Sequence, residues 1–202
     1  MPERNVDVFG VDPLPKEIDT VIIGVDPGVT TGVSVIAYSS QDFPASPGEV
    51  PFWGSSQKSY GGSGNVSDIV GGPMVEQKIA RDIADIALCL VDRPDVRIIF
   101  AIEDFIIRKV NTSRDFLAPV RITSGILQEI TGERFKNRKI EVSIQAPSDA
   151  KVVCKDERMN TWGFTIKTQR DRHSRDADRH SVLCLRYLME KRNRSFSEIR
   201  TS

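Results

Sequence analysis

The sequence predicts an α/β domain with a mixed five-stranded sheet flanked by helices, on three observations. Strand-like runs rich in Val and Ile come first and are followed by alternating helical and strand-like segments. One run, "VRIIFAIEDFII" from Val96 to Ile107, is apolar almost throughout, as a central strand covered on both faces must be. A length of 202 residues suits a single core with loops rather than two full domains.

Each element follows from its own pattern. Residues 1–19 are a polar, proline-containing leader without a basic flank before an apolar core, so no secretory signal is expected. Residues 20–26 and 31–38 read as two strands joined by a tight turn at Pro27 and Gly28, a hairpin. The Gly-, Ser- and Pro-rich stretch 39–73 holds a third strand around Phe52 and Trp53 and then a mobile loop. Between Val75 and Val91, Ile79, Ile83, Ile86 and Leu90 recur at helical spacing while Lys78, Arg81, Asp82 and Asp85 fall elsewhere, giving an amphipathic helix. After the central strand come a basic loop, a helix from near Pro119 to near Gly132, the strand "KIEVSIQ", a short helix within "PSDAKVVCKDERMNTWG" and a last helix from about Ser174 to Lys191. The domain therefore spans 20–192, with a tail at 193–202. No internal repeat is present. No apolar run approaches membrane-spanning length, and a cytoplasmic location is expected. Cys89, Cys154 and Cys184 are odd in number and far apart, so they read as reduced, packed thiols.

The formal net charge of zero conceals an asymmetry. Residues 1–104 hold 7 Lys and Arg against 16 Asp and Glu, whereas residues 105–202 hold 21 against 12. A basic half points to a polyanionic partner, of which nucleic acid is the commonest. Mutual attraction of the two halves within one fold accounts for the same pattern.

Carboxylates in apolar surroundings are the candidate site. Asp26 interrupts the first strand where the Pro-Gly turn begins, and an unpaired buried charge is costly without a cation, a metal or backbone N–H groups to offset it. Glu103 and Asp104 lie in the central strand. In the last helix the α-helical step sets Asp176 about 60° from His173 and about 40° from His180, but about 160° from Asp178. Asp178 is therefore expected on the solvent or basic side, screened by Arg175 and Arg179. Asp104, next to Glu103, points to the other face of the strand. Asp26, Glu103 and Asp176 brought together form the ligand set of a hard divalent cation such as magnesium, and paired ions of that kind act on phosphate esters. Taken singly, the three read equally as an Asx turn, a strand end and a helix cap.

The segments "IGVDPGVTTG", "AIEDF" and "HSRDADRHSVLCLRYL", in that order and spacing, resemble the RuvC family of Holliday junction resolvases, in the small version of actinobacterial phages. "APVRIT", "APSDAK" and "DERMNTWGF" resemble the same branch, so the likeness covers roughly residues 20–190. The resemblance implies an RNase H-like fold, a homodimer, and hydrolysis of four-way DNA junctions with two Mg2+ ions, for which Mn2+ can substitute, leaving 5′-phosphate ends. It carries the metal-ligand role to Asp26, Glu103 and Asp176, with Asp178 as the competing alignment in the last helix, and to His173, which falls where members have a histidine or an aspartate. Lys151 in "SDAK" matches a basic residue that holds phosphate near the cut, with Lys155 and Arg158 as further candidates. Arg108, Lys109 and Arg114 in the loop after Glu103 form a track for backbone phosphates. An aromatic wedge is also implied in this region, and Phe105 stands one residue from the position that would match. The first amphipathic helix is expected to form part of the dimer interface.

Rival functions remain. A flap or fork endonuclease would use the same chemistry on other branched DNA, and a catalytically inactive branched-DNA-binding protein would keep the basic half alone. An ATP-binding domain of the actin and sugar-kinase type also begins with a strand, an acid and a Gly/Thr turn, but it needs a second such domain and phosphate loop.

Overall fold

The computed structural model describes residues 3–6, 8–10, 12–60, 72–106, 114–164 and 171–201, without the side chains of 3–6, 72–74, 114, 115 and 196–201. The five strands are β2 (Thr20–Asp26), β3 (Thr30–Tyr38), β4 (Phe52–Ser59), β5 (Arg97–Glu103) and β6 (Lys139–Gln145), extended at one edge by a short strand β1 (Glu3–Val6), in the order β1-β4-β3-β2-β5-β6. The predicted hairpin pairs β2 with β3 antiparallel, from Thr20 opposite Tyr38 to Asp26 opposite Gly32. β5 runs parallel to β2, and β6 parallel to β5. The connecting helices are α1 (Gly72–Leu90) and α2 (Ala118–Thr131), as parallel pairs require a crossover.

Four boundaries differ from the sequence-based expectation. The leader is not separate from the domain: β1 pairs parallel with β4, and Val8 and Ile18 are buried in the core. The apolar run of β5 ends as a strand at Glu103, because its partner β6 ends at Gln145, opposite it. The predicted short helix is two, α3 (Pro147–Val153) and α4 (Asp156–Thr161), since Cys154 and Lys155 leave helical geometry. The last helix, α5, runs Arg172–Thr201 without the expected tail, as no glycine or proline interrupts it.

Alternation along the strands sorts side chains onto two faces. Val21, Ile23 and Val25 of β2, with Ile98, Phe100 and Ile102 of β5, pack beneath α1 and α2. Ile22 of β2 and Ile99 and Ala101 of β5 pack beneath α5 with Ala150 of α3, Cys154 of the joint and Met159 of α4. By the same alternation Asp26 and Glu103 belong to the α5 face, each one residue beyond the paired rung Val25 and Ile102. Helix α5 lies directly on the sheet there. A Cβ at Gly24 would stand 2.3 Å from the Ala177 carbonyl oxygen, and one at Gly32 1.9 Å from that of His173, so only glycine admits the helix. Ser34 and Ser181 hydrogen-bond across the same contact at 2.9 Å.

Candidate active site

The first turn of α5 is fixed by β4. Gln57, paired with Gly32 across the sheet, accepts the backbone N–H groups of His173 and Ser174 at 3.1 and 3.4 Å, satisfying donors that a helix start leaves open. His173 then reaches the end of β2, its Nδ1 2.7 Å from Asp26 Oδ2. Burial pushes the Asp26 carboxyl above its usual range; the bond to His173 opposes this, and the nearby Glu103 and Asp176 charges add to it. Asp26, Glu103 and Asp176, from three elements distant in sequence, therefore share one electrostatic site.

Glu103 is held from behind. His180, fully buried on α5, sets Nε2 3.0 Å from Glu103 Oε2, and its Nδ1 lies 2.9 Å from Gln145 Oε1 on β6. Gln145 in turn donates to Ser143 Oγ at 3.3 Å. Asp176 is ion-paired with Arg179, one turn along the same helix, and Arg179 also contacts Asp156 of α4. Among the described residues no three His, Cys, Asp or Glu groups are gathered closely enough to hold a metal ion as the side chains stand. Each carboxylate is turned onto a protein partner instead.

Asp178 is not on the solvent side. It is 2% exposed, accepting Trp53 Nε1–H at 2.9 Å and Ser55 Oγ–H at 3.1 Å. The side of α5 opposite Asp176 is covered by β4, which the helical angle alone does not reveal. Arg179 pairs with Asp176 and Asp156 rather than screening Asp178.

The basic candidates stand apart from the acids. Lys151 on α3 and Lys155 before α4 are exposed, and neither makes a described contact with Asp26, Glu103 or Asp176. Arg158, also exposed, donates to the Val153 carbonyl at 3.1 Å. Arg108 and Lys109 lie outside the described residues, and Arg114 opens a 3-10 turn to Leu117 with its side chain outside them. Phe105 packs edge-on against Phe116, ring centroids 5.2 Å apart. Sequence reasoning missed Gln57 and Gln145, neutral residues with no motif around them, and the structural part of Arg179.

No protein-family model matches the chain, and no curated protein sequence does. Solved structures do match. A Thermus thermophilus RuvC in complex with Holliday junction substrate is similar over 85% of this chain and 96% of its own, with a TM-score of 0.53 and 15% identity. A second structure of Thermus thermophilus RuvC gives a TM-score of 0.51 at 14% identity, covering 84% of this chain and 96% of that one. The yeast mitochondrial Holliday junction resolvase Ydc2 matches 95% of this chain and 87% of its own, at a TM-score of 0.56 and 9% identity. The chain shares the fold of these RuvC and Holliday junction resolvase structures.

Proposed function

We propose that this chain is a divalent-metal-dependent, structure-selective endonuclease of RuvC type that resolves four-way junctions or other branched DNA. The observation that carries the reading is the convergence of Asp26, Glu103 and Asp176 at the ends of β2 and β5 and the start of α5, with Asp26 partly buried and raised by that burial and by both other charges. Such a set of oxygen donors, with His173 beside it, fits a hard dication, which relieves the burial and the mutual repulsion together. Two bound Mg2+ ions, or Mn2+, would supply a hydroxide nucleophile and stabilise the departing 3′-oxygen, leaving 5′-phosphate ends.

The chain's own residues supply position. Asp26, Glu103 and Asp176 would hold the ions, with His173 at Asp26; His180, hydrogen-bonded to Gln145, sets the rotamer of Glu103. Lys151, Lys155 and Arg158 offer exposed cations for backbone phosphate along α3 and α4. The chain is read as acting on DNA in recombination or phage DNA processing, within the bacterial cytoplasm; among the described residues no helix is long and apolar enough to cross a membrane.

A homodimer would set two sites on a junction whose cut strands are related by two-fold symmetry. The apolar side of α1 is taken up by the core through Ile79, Ile83 and Leu90, which leaves its polar side for the part in the interface expected of that helix. Exposed Val142 and Ile144 on the edge strand β6, and Leu117 and Val120 at the start of α2, are further candidates for it.

The test is incubation with labelled four-way junction, fork, flap and linear duplex, with and without Mg2+. Metal-dependent cutting of the junction, with linear duplex spared, is the expected result. Preference for flap or fork would move the substrate within the class, and binding without cutting under every metal would leave a branched-DNA-binding protein.

A further inference from the structure

Arg179 makes contacts that a surface ion pair does not. Its side chain is 9% exposed, it is ion-paired through Nη1 with Asp176 and through Nη2 with Asp156, and its Nε donates to the Cys154 carbonyl at 3.3 Å. The guanidinium thus bridges a site carboxylate on α5 and the joint between α3 and α4. Asp156 is half exposed, with 46% of its side-chain area open.

We propose that Arg179 is a positioning residue that occupies Asp176 in the metal-free protein and releases it when a divalent cation binds, staying anchored by Asp156 and the Cys154 carbonyl. This rests on the reading of the acidic cluster as a dication site. Charge favours an internal cation: Glu103 and Asp176 both act unfavourably on the partly buried Asp26 carboxylate, and a guanidinium on Asp176 offsets part of that repulsion. Geometry makes release feasible. A buried cation stripped of its only partner is strongly unfavourable, but Arg179 keeps a carboxylate and a carbonyl when Asp176 turns away. The arrangement also explains why no three ligands are gathered as the side chains stand, since Asp176 is turned onto Arg179. Metal affinity is then set by a competition within the chain, with Asp156 on the side of the metal.

The experiment is titration of the full chain, stripped of metal and free of DNA, with Mn2+, reading the free ion by electron paramagnetic resonance. Thermal melts of each variant establish the folded fraction. Arg179→Gln is expected to bind Mn2+ roughly three- to tenfold more tightly, the scale of losing one partly buried competing pair. Arg179→Lys keeps the charge but not the fork, and should fall between wild type and Arg179→Gln. Asp156→Asn leaves Arg179 to Asp176 alone and should weaken binding by about two- to fivefold. Arg179 acting only as a scaffold predicts weaker binding in both Arg179→Gln and Arg179→Lys, and Arg179 acting only through its field predicts Arg179→Lys equal to wild type; either result overturns the proposal. So does an unchanged or tighter Asp156→Asn, a variant at a half-exposed site that decides the matter even where Arg179→Gln fails to fold. If wild type takes up no more Mn2+ than Asp26→Asn, the dication reading itself fails. Wild-type uptake that Asp26→Asn abolishes, combined with the wrong sign at Arg179, removes this proposal alone.

Discussion

The two faces of the sheet are built differently. Beneath α1 and α2 the described core is almost wholly aliphatic and aromatic, and the buried Glu76 there is tied to Arg121 at 2.9 Å. Beneath α5 the buried set includes Ser34, Ser174, Ser181, Asp178, Arg179, His180 and Gln145, nearly all engaged in specific hydrogen bonds. One face is held by area removed from water, which is non-directional. The other adds to its own apolar cluster, which includes Ile22, Ile99, Leu183 and Leu185, a set of directed polar contacts that fix side-chain geometry and cost stability whenever a partner is lost. A cut in the face beneath α1 and α2 should therefore touch stability alone, whereas a cut in the α5 face can touch stability and chemistry together.

The largest effect should come from the polar face. Asp26→Asn is expected to lower single-turnover junction cleavage by roughly three orders of magnitude or more, about 4 kcal/mol, with junction affinity by gel shift intact or tighter. Affinity lost in step with cleavage would mean that the face does not separate binding from chemistry. On the opposite face, Ile83→Ala removes a fully buried side chain from α1. It should cost about 2–5 kcal/mol in urea unfolding and leave the cleavage rate per folded molecule unchanged. A fall in that rate would show that the two faces are coupled.

A sharper comparison lies within α5. Asp178→Ala strands the Trp53 and Ser55 donors and should destabilise by about 1–3 kcal/mol, a polar residue behaving like a core one. The smallest effect is a pH dependence. Because the Asp26 carboxyl is raised in the fold, the unfolded chain binds fewer protons between its ordinary value and the raised one. Stability of the metal-free protein should therefore fall as pH rises through the folded-state value. Asp26→Asn, which cannot ionise, should melt higher than wild type at pH 7, and the gap should close toward the ordinary carboxylate range. A gap that widens on acidification would reverse the sign assigned to Asp26.

This division explains what was legible in the sequence. The aliphatic face announces itself by period: Ile79, Ile83, Ile86 and Leu90 mark α1, and the runs of Val and Ile mark β2, β3 and β5. Asp26 and Glu103 were visible because each breaks an apolar run, and the helical step correctly separates Asp176 from Asp178. What covers the far side of α5 was not visible. Asp178 meets β4 only because Gly24 and Gly32 let the helix lie on the sheet, a fact of tertiary distance rather than of local pattern. Gln57 and Gln145 were missed for the same reason, since strand register sets them beneath α5 and the helix supplies their partners. The leader read as polar because its strand is four residues long and its edge position needs little apolar surface.

The most direct test of the central claim, that the acids of the α5 face facing Asp26 perform the chemistry, compares Asp176→Asn with Asp178→Asn on labelled four-way junction in Mg2+, each rate normalised to the folded fraction. Asp176→Asn should be folded and slower by roughly three orders of magnitude, while Asp178→Asn should be less stable and cleave, per folded molecule, within about threefold of wild type. A folded but inactive Asp178→Asn beside an active Asp176→Asn would contradict the account, and the ligand role proposed for His173 would fall with it.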